Sequence, residues 1–85
     1  MTKIAEFYGF KVFVDSSFTG EPKIFIDYEA DHISGYYNIE ERCFINVEFP
    51  YYLIEVIKEW IADNLALLKE MWEKRTLIAV PEWEE

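Results

Sequence analysis

Two periodicities share this chain, and they change over at Pro50. Apolar and polar residues alternate in short runs from Tyr8 to Phe49, whereas from Tyr51 to Arg75 apolar residues recur at three- and four-residue steps. Period two marks a strand and a period near 3.6 a helix. The first half reads as four strands. Tyr8–Asp15 puts Phe10, Val12 and Val14 on one face and Lys11, Phe13 and Asp15 on the other; Ser16 to Pro22 is loop chemistry. Lys23–Glu29 sets Ile24, Ile26 and Tyr28 against Phe25, Asp27 and Glu29. His32–Ile39 offers Ile33, Tyr37 and Ile39 as its apolar side. After a tight turn at Asn38–Glu41, Arg42–Val47 points Cys43, Ile45 and Val47 inward and Arg42, Phe44 and Asn46 outward. Links this short favour hairpins, hence an antiparallel meander.

Pro50 suits the start of a helix, where its missing N–H costs nothing. The stripe Leu53, Val56, Ile57, Trp60, Ile61, Asn64, Leu68, Met71 and Trp72 then supplies one apolar face, and Glu55, Lys58, Glu59, Asp63, Lys69, Glu70, Glu73 and Lys74 the polar remainder. The predicted architecture is α+β: one domain over residues 1–85, a four-stranded antiparallel meander at about 4–49 packed on a single long helix at about 50–75. An apolar, then acidic, tail at 76–85 lies against the sheet or its edge.

Composition narrows the class. Eighty-five residues leave no room for a second core, and an aromatic content of 19% excludes a disordered chain. Net charge is −9, from 17 acids against 8 bases, so direct binding to a phosphate backbone is not expected and a partner with a basic surface is. No apolar run approaches the roughly 20 residues that span a bilayer. No signal-peptide pattern opens the chain, and the single cysteine, Cys43, cannot make an internal disulfide, which together imply a cytoplasmic setting without membrane attachment.

Candidate chemistry is sparse. His32 is the only histidine and has no set of cysteines or acids at ligand spacing, so neither a metal nor another cofactor is expected. A Cys43–His32 nucleophilic pair would need the two residues to meet, yet they fall on opposite faces; Cys43 reads as a small buried hydrophobe. No catalytic residue emerges. Asp27, Glu29 and Asp31, at two-residue spacing, would form a row of carboxylates roughly 6.5–7 Å apart, too far for a shared proton but suited to a row of Lys and Arg. The outward face is more unusual, because Phe13, Phe25, Tyr36 and Phe44 could line up across four strands as one apolar patch. An aromatic centre with a charged rim is the composition of a protein interface. Phe13, Phe25, Asp27, Glu29, Tyr36 and Phe44 are accordingly the candidate partner-binding residues, for another protein or for a second copy in a homodimer.

The collinear segments Glu6-Phe7-Tyr8-Gly9-Phe10-Lys11-Val12, Glu21-Pro22-Lys23-Ile24-Phe25-Ile26-Asp27-Tyr28, Pro50 with Glu59-Trp60, and Leu67-Leu68-Lys69-Glu70-Met71-Trp72-Glu73 resemble a group of small bacterial proteins, the domain-of-unknown-function family 4160. The similarity spans about residues 4 to 75. The two later histidines of that family's Pro-Pro-His-Phe-His type run fall on Lys23 and Phe25, so the histidine motif is lost here. The resemblance implies a small regulator from a toxin–antitoxin pair or mobile DNA. The expectation is therefore a non-enzymatic interaction module, antitoxin-like or phage-inhibitor-like. The alternative is a degenerate nuclease-like toxin whose activity would depend on His32.

Overall fold

The structure, a computed structural model, describes residues 1–45 and 49–81. Five strands, not four, form an antiparallel sheet whose spatial order follows the chain: β1 (Thr2–Phe7), β2 (Phe10–Val14), β3 (Lys23–Tyr28), β4 (Ile33–Asn38) and β5 (Cys43–Ile45). One helix, α1 (Tyr51–Lys74), covers one face. Among the described residues no helix is long and apolar enough to cross a membrane.

The additional strand arises because residues 8 and 9 are a turn rather than the start of a strand. Tyr8 (φ 45°) and Gly9 (φ 85°) both adopt positive φ, and Phe7 pairs with Phe10 across them. Two left-handed residues in succession make the tight hairpin whose twist matches the flanking strands. A β-bulge between Lys3 and Ala5 shifts the register of β1, so Thr2–Phe7 shows no clean alternation for a period-two reading to find. The hairpin drives Phe7 into the core, 1% exposed and stacked on Trp60 with ring centroids 5.0 Å apart.

Loops set the remaining registers. Asp15 caps the turn after β2, its Oδ1 accepting from the Ser17 amide (3.0 Å) and hydroxyl (2.8 Å). That turn buries Phe18, whose ring meets Trp72 edge-on at 5.3 Å. Strand β3 ends at Tyr28, and Glu29–Asp31 form a 3-10 turn closed by His32 at φ 54°. Between β4 and β5 the loop holds four residues, with Asn38 paired to Cys43 and Tyr37 to Phe44. Asn38 Oδ1 accepts from the Glu41 amide (2.8 Å), and its Nδ2 donates to Glu21 Oε2 (3.1 Å), which satisfies a side chain only 2% exposed.

This loop overturns the expected faces of β5. An odd-numbered residue of β4 now faces an even-numbered one of β5, and a one-residue change of register exchanges every side chain between faces. Phe44 points inward, edge-on to Tyr37 at 5.0 Å and tilted on Phe49 at 5.4 Å. Ile45 points outward with Tyr36, and Cys43 is exposed rather than buried. Val47 lies outside the described residues.

Helix α1 follows Pro50, whose carbonyl accepts from the amides of Leu53 (3.0 Å) and Ile54 (3.1 Å). It ends at Arg75 in the left-handed conformation, with the Thr76 amide closing on the Met71 carbonyl at 3.1 Å. The buried face is Leu53, Ile57, Trp60, Ile61, Asn64, Leu68, Met71 and Trp72, the stripe expected from periodicity except that Val56 is only half-buried. It closes over Phe10, Val12, Val14, Ile24, Ile26 and Tyr37 of the sheet's inner face. Beyond the helix, Ile78 and Val80 pack against this core, and Val80 and Pro81 share a hollow with Lys3–Glu6 and Trp60.

Candidate docking face

The register of the five strands places one residue from each on a single line across the outer face: Lys3 opposite Phe13, Phe13 opposite Phe25, Phe25 opposite Tyr36, and Tyr36 opposite Ile45. Side chains alternate between faces, so the inner-face partners of this row lie against α1 while the row itself points away. Phe13 and Phe25 sit with centroids 6.1 Å apart, and Phe25 meets Tyr36 edge-on at 5.1 Å. Lys23 extends its ammonium over the Tyr36 ring at 5.0 Å, a cation–π contact. Phe13, Phe25, Tyr36 and Ile45 are all half-buried. None of them belongs to the hydrophobic core or packs on it; Met1, Asp15 and Lys23 line a small hollow with the three rings.

Charged residues flank the row on both sides. Glu6, Lys11, Asp27 and Ser34 form the next line, with Lys11 facing Asp27 across the strands and donating to Glu29 Oε2 at 3.1 Å. The Glu29 carboxylate, by hydrogen bond and by charge, raises the Lys11 pKa. Lys3 pairs with Glu6 at 3.6 Å. On the opposite flank stand Lys23, Asn38 and Cys43. Lysine and acids therefore alternate along the first flank, whereas the second carries only Lys23 as a charge.

Of the six expected contact residues, Phe13, Phe25 and Tyr36 come together in the row, and Asp27 stands beside it. Glu29 lies at the rim, because the 3-10 turn removes it and Asp31 from the strand and breaks the expected carboxylate ladder. Phe44 does not belong to this face, for the register reason given above. Ile45 and Lys3 take part instead. Asn38, a residue type that caps turns with its own side chain, signals where the loop begins, but no residue signals where it ends, so nothing in the sequence marks Ile45 for this face.

The residues weighed for catalysis stay apart. His32 precedes the first residue of β4, whereas Cys43 pairs with the last, so the strand's length, on the order of 20 Å, separates them. Among the described residues no three His, Cys, Asp or Glu side chains gather to hold a metal ion. No protein-family model matches the chain, and neither a curated protein nor a solved structure is similar to it.

Proposed function

We propose that this chain is a non-enzymatic interaction module that binds and regulates another protein through the outer face of its sheet. The observation that carries this reading is the row Phe13–Phe25–Tyr36–Ile45, an apolar strip across four strands on the side away from the helix. Burying half-exposed aromatic rings against a partner releases the water they still contact, at about 25 cal/mol per Å² of apolar surface. The flanking charges would fix register and orientation rather than supply affinity. The described tail does not compete for the strip, because Ile78 and Val80 pack against the core.

Asp27, beside the row, and Glu29, at its rim, are where basic groups of the partner would dock. The chain's charge of −9 favours a basic, nucleic-acid-binding target over nucleic acid itself. An antitoxin-like or phage-inhibitor-like role in a bacterial cytoplasm fits these properties. It also fits the resemblance to the small bacterial family, in which this chain would be a divergent member.

The test is affinity capture from bacterial lysate with the native chain, with Phe25→Asp, and with Glu55→Lys on the solvent side of the helix. A protein retained by the native chain and by Glu55→Lys but lost with a folded Phe25→Asp supports the proposal. If every retained protein survives Phe25→Asp, the proposal is wrong. A native chain that sediments as a dimer and a Phe25→Asp variant that sediments as a monomer would assign the strip to self-association instead.

A further inference from the structure

A second surface lies on the other side of the molecule, between the middle of α1 and the β4–β5 loop. There Tyr37, Arg42, Lys58, Ile61, Ala62 and Leu65 line a hollow of about 270 Å³. Three features distinguish it. Its floor is apolar, made by Leu65 with Ile61 four residues before it and Ala62 three before it, the two spacings at which helix side chains are neighbours. Its rim carries two of the chain's eight cations and no carboxylate, in a protein that has 17 acids. And Tyr37, 4% exposed, brings a hydroxyl with no hydrogen-bond partner among the described residues.

Among the described residues neither cation takes part in an ion pair. The ion pairs among the described residues use Lys3, Lys11 and Lys74. Glu41 stands next to Arg42 and Glu55 one turn before Lys58, yet neither forms a bridge to them there. The Tyr37 hydroxyl is not sealed either, since the indole Nε1 of Trp72 is the enclosed polar side-chain atom left without a partner among the described residues. Burial raises the Tyr37 pKa, more than the nearby Arg42 charge lowers it, so at neutral pH the hydroxyl keeps its proton and can donate.

We infer that this hollow binds a small organic carboxylate, its anionic head between Arg42, Lys58 and the Tyr37 hydroxyl and its apolar body on Ile61, Ala62 and Leu65. Arginine and lysine bound to a carboxylate form charge-assisted hydrogen bonds, the stronger kind. An apolar floor with a few convergent polar groups is the usual make-up of a small-molecule site. The volume suits a ligand of one or two rings rather than a peptide. This site is independent of the outer sheet face, and either can fail without the other.

The probe is naphthoate, with its neutral amide as control, titrated into the full chain while amide resonances are followed by heteronuclear NMR. Saturable shifts at Arg42, Lys58, Ala62 and Leu65 with naphthoate, absent with the amide, are expected. Arg42→Gln and Lys58→Gln, both at exposed positions, should each weaken binding about tenfold, and Phe25→Asp should leave it unchanged. Equal binding of the amide, shifts centred on Phe13, Phe25 and Tyr36, or no saturation with naphthoate at millimolar concentration would each overturn the assignment.

Discussion

Replacing two phenylalanines one at a time by aspartate tests the register on which the docking face depends. Phe25 and Phe44 are both half-buried strand residues, and alternation alone placed them on the same face. The observed pairing sends Phe44 into contact with Tyr37 and Phe49 beside the core, and leaves Phe25 among Phe13 and Tyr36 outside. Phe44→Asp loses the packing of a partly enclosed ring, about 2–3 kcal/mol when a full core truncation costs 3–5. It also brings a carboxylate against apolar neighbours, for about 1–3 kcal/mol more. Phe25→Asp loses two ring contacts, about 0.5–1.5 kcal/mol each, in a setting where Lys11 and Lys23 can face the new charge. A domain of 85 residues has about 4–13 kcal/mol in total. Phe44→Asp should therefore lose about 3–6 kcal/mol and Phe25→Asp about 1–3 kcal/mol, leaving Phe25→Asp the more stable of the two. In urea melts followed by far-UV circular dichroism, a difference of about 2 kcal/mol separates the midpoints by about 1 M. A Phe44→Asp midpoint equal to or above that of Phe25→Asp would refute the four-residue loop and return Phe44 to the outer face.

Phe7→Ala should destabilise by about 3–5 kcal/mol in the same melts, because the ring is sealed between Trp60 and Phe10; a loss under about 1 kcal/mol would mean that β1 does not dock. The Asp15 pKa is lowered, chiefly by the Ser17 amide and then by the Ser17 hydroxyl. Its contribution to stability is thus present above the unfolded carboxylate pKa and lost as pH falls through the lower folded value. NMR titration of the Asp15 carboxyl should give a midpoint below the ordinary aspartate range that moves up in Ser17→Ala, and an unmoved midpoint would discount the turn.

The helix was legible because it satisfies one period over 24 residues, with Pro50 at its head. The cores of β2, β3 and β4 were legible for the same reason. What escaped was governed by the turns. Tyr8-Gly9 carries only one glycine, so nothing in composition distinguishes a two-residue hairpin from a strand that runs through it. The bulge at Lys3–Ala5 hid the alternation of β1. Between β4 and β5 the sequence shows four polar or charged residues around Ile39 but not which of them are paired, and a single residue of loop length decides whether Phe44 or Ile45 meets the core. Phe18 was unreadable in a different way: a lone aromatic in a loop of Ser, Thr and Gly has no period at all, and only the Asp15 turn aims it at Trp72. The outer aromatic row was legible in Phe13, Phe25 and Tyr36, which sit on strands whose parity no loop ambiguity touches.

Because each strand pairs only with its neighbour in sequence, and the helix follows all of them, the order in which the ribosome delivers these parts has a cost. Hairpins can close one after another as they emerge, yet the surface meant for Trp60 and Leu68 stays bare until 24 further residues have been made. At roughly 5–20 residues per second that interval lasts about 1–5 s. For that time the nascent sheet exposes apolar side chains on both sides, and only the arrival of the helix removes one of them from water.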